Sequence, residues 1–170
     1  MSEEQAIARP YVHLLEGQDP ADVLRATPAR LGRVLGAMAP EQIEYKPAPN
    51  KWSIREILCH MADCEVAWAW RLRSIHGSDN PTMQPFEQDA WAKAYDGPGY
   101  TVDAARTTWM TLRRWNLNLI ETLSEEQKRR PAHHPELGDI TLWTVVEIAA
   151  GHDVHHLDQL ERVSAKVHAQ

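Results

Sequence analysis

The sequence lacks any long run of apolar residues. No stretch approaches the roughly 18 consecutive apolar residues that a membrane span needs, and the opening segment, MSEEQAIARPYVHLL, has two acidic residues where a signal peptide is basic and then apolar. Cysteine is also scarce. Cys59 and Cys64 lie five positions apart on one predicted helix, about 140° apart around its axis, which disfavours a disulfide. Two reduced thiols and no membrane partner predict a cytoplasmic protein.

Basic residues are fewer than acidic residues. The chain has 18 Lys and Arg residues against 24 Asp and Glu residues, which gives a formal net charge of −6. The basic run QKRR at 127–130 is too short to form a phosphate-binding surface. The sequence therefore predicts no nucleic-acid partner.

Several catalytic signatures are missing as well. There is no G-x-S-x-G nucleophile motif, and no Glu is followed three residues later by His, as a di-iron carboxylate bundle requires. The segment HDVHH resembles the H-E-x-x-H motif of zinc proteases. However, Asp153 is one methylene shorter than Glu, and Arg162 stands where a metzincin has its third histidine. These three classes of enzyme are therefore disfavoured.

The sequence shows instead a recurring helical periodicity, in a composition typical of one globular domain (43% hydrophobic and 25% charged residues). The second predicted helix starts at Ser53, which together with Glu56 has the spacing of a capping box. The first contains an internal start signal at Thr27-Pro28, so it is either one helix or two pieces. The four predicted helices span 19–38, 53–77, 101–123 and 141–165.

No segment alternates with period two for long enough to form a sheet, so the predicted fold is all-α, a four-helix bundle. The link at 77–100 is rich in Pro, Gly, Asn and Asp. It is long enough to cross the bundle, so the second and third helices need not be antiparallel. We predict that the bundle covers residues 19–170 and that residues 1–18 form an N-terminal extension.

Histidines cluster in the last helix, in the segment AAGHDVHHLDQL at 149–160. At about 100° per residue, His152 and His156 fall within the apolar stripe, whereas His155 falls on a more polar face. Two buried imidazoles one turn apart can bind one metal ion, or they can be core histidines with hydrogen-bond partners. His60, on the flank of the second helix's apolar stripe, is the candidate third ligand. Arg71 lies on the same side of that helix and would meet an anionic substrate or, more commonly, a surface ion partner.

These segments together resemble the DinB-like family of metal-binding four-helix bundles, over approximately residues 20–165. The resemblance is carried by ATPARLGRVL, KWSIREILCHMADCE, PFEQDAW and, most specifically, LGDITLWTVVEIAAGHDVHHLDQLERV. In that family, one histidine of the second helix and an H-x3-H pair of the last helix bind a divalent metal. The matching positions here are His60, His152 and His156, whereas His155 occupies a non-ligand position and Gln159 matches a recurrent glutamine. The family's fold also implies parallel second and third helices.

The resemblance implies a function too. A three-histidine site leaves at least one coordination position open, as catalytic sites do, and relatives include transferases that join low-molecular-weight thiols to electrophiles. It therefore implies a metal-dependent enzyme acting on a small-molecule substrate, of the thiol S-transferase or the hydrolase type. Zn or Ni is the favoured divalent metal ion, Fe and Mn are alternatives, and a low-molecular-weight thiol is a candidate cosubstrate. A non-catalytic metal-dependent binding or sensing bundle, a purely structural bundle and a homodimer through apolar helix faces stay open.

Overall fold

The structure of the protein, a computed structural model, describes residues 9–168. Residues 1–8, which belong to the predicted N-terminal extension, and residues 169–170 lie outside the described residues. In chain order, the elements are a 3₁₀ turn at Val12–Leu15, α1 at Pro20–Gly36, a 3₁₀ turn at Pro40–Gln42, α2 at Ile54–Gly77, α3 at Gln88–Ala92, α4 at Val102–Ile120, α5 at Glu125–Lys128, β1 at Pro131–His134, β2 at Gly138–Thr141 and α6 at Leu142–His168.

The four long helices are α1, α2, α4 and α6, and they lie where the sequence predicts them. The predicted capping box is present at the start of α2: the Ser53 hydroxyl accepts from the Glu56 N–H, and the Glu56 carboxylate accepts from the Ser53 N–H. Thr101 caps α4 in a similar way, by accepting from the Ala104 N–H. The predicted helical bundle is confirmed. Among residues 9–168, no helix combines the length and the hydropathy that a membrane span requires.

The first long helix, α1, continues through Pro28 without a break, so the alternative of two pieces is wrong. A proline has no N–H to donate to the carbonyl four residues earlier, which here belongs to Leu24. That carbonyl instead accepts hydrogen bonds from the Thr27 hydroxyl at 3.1 Å and from Arg113 of α4 at 3.3 Å. The helix is therefore completed by side chains that replace the missing donor.

The long helices form two parallel pairs. In the pair of α2 and α4, Glu65 bonds to Arg113 and, further along both helices, Arg73 bonds to Asn116, so the two helices run in the same direction. Between α1 and α6, Thr27 bonds to Asp153 and, further along both helices, Arg30 bonds to Glu161, so this pair also runs in the same direction. The parallel second and third helices that the resemblance implied are thus confirmed. The link between α2 and α4 is long enough to return the chain to the starting end of α2, which this topology requires.

A small β-hairpin lies between α5 and α6, where the sequence was expected to contain no sheet. That expectation was wrong because each strand has only four residues, too few for a period-two pattern to stand out. The Met83 N–H donates to the His133 carbonyl at 2.8 Å, and the His133 N–H donates to the Pro81 carbonyl at 3.0 Å. The hairpin therefore fixes the first part of the link that follows α2.

A buried ionic cluster ties the four long helices together. Arg113 of α4 pairs with Glu65 of α2 at 2.7 Å and with Asp153 of α6 at 2.5 Å, and all three side chains are almost fully buried. Thr27 of α1 accepts a hydrogen bond from Arg113, and its single O–H is shared between Asp153 at 2.9 Å and the Leu24 carbonyl. Burial alone would lower the pKa of Arg113, but Asp153 and Glu65 raise it overall, so the guanidinium stays charged. Because Asp153 directly follows His152, this cluster also fixes the α6 backbone at the histidines.

The described part of the N-terminal segment packs against α6. Gly151 allows this contact, because a Cβ atom at that position would lie 2.4 Å from the carbonyl oxygen of Tyr11. The Tyr11 ring consequently reaches the histidine cluster, with its centroid 5.6 Å from that of His152 and 4.9 Å from that of His155. Tyr11, which precedes Asp19, the N-cap of α1, therefore contributes a side chain to the surroundings of the histidine cluster.

Candidate metal centre

Two helices, α2 and α6, bring three histidines into one buried cluster. His60 lies in the second turn of α2, and His152 and His156 lie on successive turns of α6. Their exposed fractions are only 1%, 7% and 6%. The ring centroids are separated by 5.2 Å for His60 and His152, 4.7 Å for His60 and His156, and 4.3 Å for His152 and His156. The structure thus brings together the three residues that the sequence singled out.

The tightest set of potential ligand atoms includes a cysteine. The Nε2 atoms of His60 and His152 lie 3.2 Å apart, and the Cys64 sulfur lies 3.5 Å from the first and 3.6 Å from the second. Among the described residues, His60, Cys64 and His152 are the group whose ligand atoms all lie within 4.8 Å of one another. Cys64 joins because it lies one turn after His60 on α2.

These separations match those of a tetrahedral metal site. With metal–nitrogen bonds of about 2.05 Å and a metal–sulfur bond of about 2.3 Å, tetrahedral angles place two ligand nitrogens about 3.3 Å apart and a nitrogen and a sulfur about 3.6 Å apart. The three observed separations agree with these values. Two neutral imidazoles and a thiolate are also ligands that Zn and related divalent ions accept. The residues present therefore fit a divalent metal ion.

His156 packs beside the set formed by His60, Cys64 and His152 without belonging to it. Its ring packs against both other imidazoles, but its nitrogens do not belong to the group within 4.8 Å. The Nδ1 atom lies 2.8 Å from the side-chain oxygen of Gln159, which leaves Nε2 as the nitrogen free to bind a metal. A hydrogen bond to one ring nitrogen commonly sets the orientation of a ligating histidine. Gln159 therefore has the position expected of an orienting partner for His156.

Burial keeps the imidazoles neutral, which is the form that binds metals. Desolvation lowers the pKa of His60 to about 3, and the neighbouring His156 and His155 add to the shift. Desolvation likewise lowers the pKa of His156 to about 4 and that of His152 well below its usual range. In contrast, burial raises the pKa of the Cys64 thiol well above its usual value. Without a metal, the site at neutral pH is uncharged.

One nitrogen in the cluster has no partner. Among the described residues, Nδ1 of His152 is buried and makes no hydrogen bond, while its Nε2 faces His60 and Cys64. A buried polar atom without a partner is costly in a protein that has no use for it. The unpartnered nitrogen is not the one that faces His60 and Cys64, so it is the position of the Nε2 atom that indicates a ligand-binding role for His152.

Aromatic side chains enclose His60 from two directions. The Trp52 ring, directly before the cap of α2, lies 4.9 Å from the His60 ring, and the Phe86 ring stacks on it at 6.4 Å with an interplanar angle of 17°. Trp91 packs edge-on against Phe86 at 4.8 Å. The link between α2 and α4 therefore contributes to the wall of the site, whereas its Tyr95 anchors the link in the core by donating to Asp63 at 2.8 Å.

His155 lies on the rim of the cluster. It is only partly buried, and its ring contacts Tyr11 and His156. This is the location that the helical wheel and the resemblance both predict for a histidine that does not bind the metal.

A cavity of about 170 Å³ opens beside His152. It lies between α2, α6, the hairpin and the first part of the long link. Its polar groups are few and include Arg71, His134 and Glu136, while the walls are mostly apolar. Apolar walls with few polar groups next to a candidate metal centre are features of small-molecule sites, and this volume limits the ligand to a compact molecule. The apolar and aromatic lining includes Trp68, Met83, Phe86, Leu137, Ile140 and Val145.

The fold and the site together define a four-helix bundle with a candidate metal centre between α2 and α6. The sequence profile of the DinB superfamily matches residues 23–160, and the chain belongs to that superfamily.

Two named proteins are similar to this chain over most of its length. The chain is 24% identical over 147 residues to a Bacillus subtilis protein named "Putative metal-dependent hydrolase YfiT", an alignment that covers 85% of this chain and 82% of the relative. It is 27% identical over 117 residues to a protein of Oceanobacillus iheyensis described in the same way, with 69% of this chain and 67% of the relative covered.

The solved structure of YfiT from Bacillus subtilis is also similar. It is described as a probable metal-dependent hydrolase with an unusual four-helix bundle topology. It matches with a TM-score of 0.76 at 20% identity and covers 98% of this chain and 93% of that chain. At this identity, the similarity confirms the fold.

Sequence reasoning missed three residues near the site. Cys64 was considered for a disulfide with Cys59 and not as a metal ligand, although its spacing of one turn from His60 already places both side chains on one face of α2. Phe86 lies in the 77–100 link, for which no contact with the histidines was predicted, and Tyr11 fell in the predicted extension. No local pattern places Phe86 or Tyr11 at the histidines, because both contacts depend on how distant segments pack.

Proposed function

We propose that this protein is an enzyme that uses a divalent metal ion at the cluster of His60, His152 and His156 to transform a small molecule. The observation that carries the proposal is the 3.2 Å separation of the His60 and His152 Nε2 atoms, in a buried cluster whose imidazoles are neutral. The relatives named as metal-dependent hydrolases support the same function.

When bound, a divalent cation would supply a Lewis acid that lowers the pKa of a water molecule or thiol at its open position. The side chains have separate tasks around it. Gln159 holds the His156 ring through Nδ1 and so leaves Nε2 for the metal, and Trp52 and Phe86 keep bulk water away from His60. The neighbouring cavity would hold the substrate next to His152.

Two reaction types are compatible with this site, hydrolysis and transfer of a low-molecular-weight thiol. Metal-loaded protein should be assayed with p-nitrophenyl esters and, separately, with small thiols plus electrophiles such as monochlorobimane. We expect turnover in one of the two panels, lost on chelation, restored by metal and abolished in the His152→Ala variant. No turnover in either panel, with stoichiometric metal bound, would favour the alternative function, a metal-dependent binding or sensing bundle.

The third ligand can be assigned by spectroscopy. We propose His156 because the Gln159 side chain orients its ring and leaves Nε2 free to bind the metal. The distances of the Cys64 sulfur from both Nε2 atoms favour a second candidate set, His60, Cys64 and His152. The Co(II)-loaded protein distinguishes the two sets, because a thiolate ligand adds an intense sulfur-to-cobalt charge-transfer band. We expect no such band; a band that disappears in Cys64→Ser would assign the second set.

A further inference from the structure

We propose that the cavity beside His152 binds the carboxylate end of a small organic anion through Arg71, with the apolar body of that molecule against the cavity walls. Arg71 thereby becomes a specificity-determining residue. That the other end of this molecule points towards the metal centre rests on the proposed function. The binding of its carboxylate by Arg71 does not.

Arg71 is a buried arginine that makes no close ion pair in the described part of the chain, although the Glu136 carboxylate across the cavity acts on its charge at longer range. Arg71 is 9% exposed, and within residues 9–168 no carboxylate lies within 4.0 Å of its guanidinium. Its direct contacts are a bond from Nη2 to the Gln84 carbonyl at 3.2 Å and the Trp68 ring, whose centroid lies 5.3 Å from its Cζ. Neither contact neutralises the charge. Arginines are rarely buried unless they are paired with an anion.

A second buried arginine shows what full pairing looks like in this molecule. Arg113, on α4, is bonded to two carboxylates, a hydroxyl and a carbonyl. Arg71, on α2, is less completely buried (9% exposed against 2% for Arg113), makes a single protein hydrogen bond among the described residues, and lines the cavity. A guanidinium has five N–H groups in a planar fork that matches the two oxygens of a carboxylate. The missing partner of Arg71 is therefore an anion that enters the cavity.

The rest of the cavity selects the shape of that anion. Trp68 lies between the two ends, in contact with the Arg71 guanidinium and, edge-on, with the His152 ring at 6.1 Å. The walls are mainly apolar, so the part of the ligand between its carboxylate and its reactive group should be apolar as well. Glu136 is exposed and also lines the cavity, where it would repel a second negative charge. The site thus favours a compact monoanion over a polyanion.

The proposal can be tested by binding alone, without turnover. Isothermal titration calorimetry should compare benzoate with its neutral analogue benzamide, in wild type, Arg71→Gln, Arg71→Lys and the control Arg73→Gln. Arg73 is two positions further along α2 but bonds to Asn116 and the Trp115 carbonyl instead of lining the cavity. We expect wild type to bind benzoate about 10- to 100-fold more tightly than benzamide, the range for losing charge-assisted hydrogen bonds. Arg71→Gln should abolish that preference, Arg71→Lys should retain part of it, and the control should retain all of it.

Two results would overturn the proposal. One is equal binding of benzoate and benzamide, or no binding of either, by wild type. The other is a benzoate preference that survives in Arg71→Gln but disappears on chelation, because the carboxylate then binds the metal. Repeating the titration with chelated protein separates this proposal from the proposed function: binding through Arg71 persists without metal.

The carboxylate could belong to the main substrate or to a thiol cosubstrate, and one more pair of probes distinguishes them. If metal-loaded protein binds 3-mercaptopropionate more tightly than propionate, and the advantage is lost on chelation, the thiol and the carboxylate belong to one molecule. Equal binding of the two would assign the carboxylate to the main substrate.

Discussion

The buried cluster around Arg113 gives the largest single-residue effect on stability that we expect outside the apolar core. In Arg113→Met, an apolar side chain of similar length replaces the guanidinium, and Glu65 and Asp153 stay buried with no cation between them. Six hydrogen bonds from Arg113 are lost, four of them to these two carboxylates. The Leu24 carbonyl also loses one of the two donors that replace the missing Pro28 N–H.

Removing one partner of a buried ion pair costs roughly 3–5 kcal/mol, because the remaining charge is left unpaired. For a chain of this length, that corresponds to a fall in Tm of roughly 6–20 °C. Thermal unfolding followed by circular dichroism measures the change. The matched control is Arg25→Met, since Arg25 pairs with Glu121 on the surface, where both side chains are about half exposed. Solvent screens such an exposed pair, so its loss should change Tm little.

The account of the cluster would be refuted if the two variants lowered Tm by similar amounts. A further variant checks the cause of the loss. Adding Glu65→Gln and Asp153→Asn to Arg113→Met removes the unpaired charges, so part of the lost stability should return. No recovery would mean that the packing of Arg113, and not its charge, stabilises the bundle.

Two further predictions concern a glycine and the buried imidazoles. Gly151→Ala should destabilise the protein by roughly 1–3 kcal/mol because its Cβ would overlap the Tyr11 backbone. The control Gly32→Ala, at an exposed position of α1, should stabilise it by roughly 0.5–1 kcal/mol. Urea unfolding in which both variants changed the free energy of unfolding in the same direction would contradict the contact. In metal-free folded protein, the pKa of His60 is lowered to about 3 and that of His156 to about 4. In the unfolded state both imidazoles titrate near 6.5, so below that pH the unfolded state binds more protons than the folded state does. The free energy of unfolding should therefore be fully retained above pH 6.5 and fall towards pH 4, by up to about 1.4 kcal/mol per pH unit for each imidazole, and a Tm that is constant from pH 7 to 5 would show that they are not buried as neutral groups.

The sequence was sufficient to predict the four long helices because their signals are local. Ser53 and Glu56 form the capping box that their spacing indicates, and the apolar stripe of α6 placed His152 and His156 inward. The hairpin at 131–141 was missed because its strands are short. Its position depends on backbone bonds to the residues just after α2, which no local pattern reveals.

The charged residues of the interior were harder to predict than the histidines. The residues next to Arg113 and Glu65 in the sequence do not show whether these side chains lie at the centre of the four helices or in a surface ion pair. Their pairing depends on tertiary packing alone. Arg71 was expected to find a surface ion partner more often than a substrate. The structure instead places it in a cavity, 9% exposed and without a carboxylate within 4.0 Å among the described residues.

The most direct test of the metal centre is the metal content of the purified protein and of single alanine variants, measured by elemental analysis after reconstitution and dialysis. We predict about one equivalent of divalent metal in wild type and in the control His155→Ala, since His155 lies on the rim of the cluster. We predict loss of metal in His60→Ala, His152→Ala and His156→Ala. Wild-type protein that binds no metal, or full occupancy in both His60→Ala and His152→Ala, would contradict the metal centre.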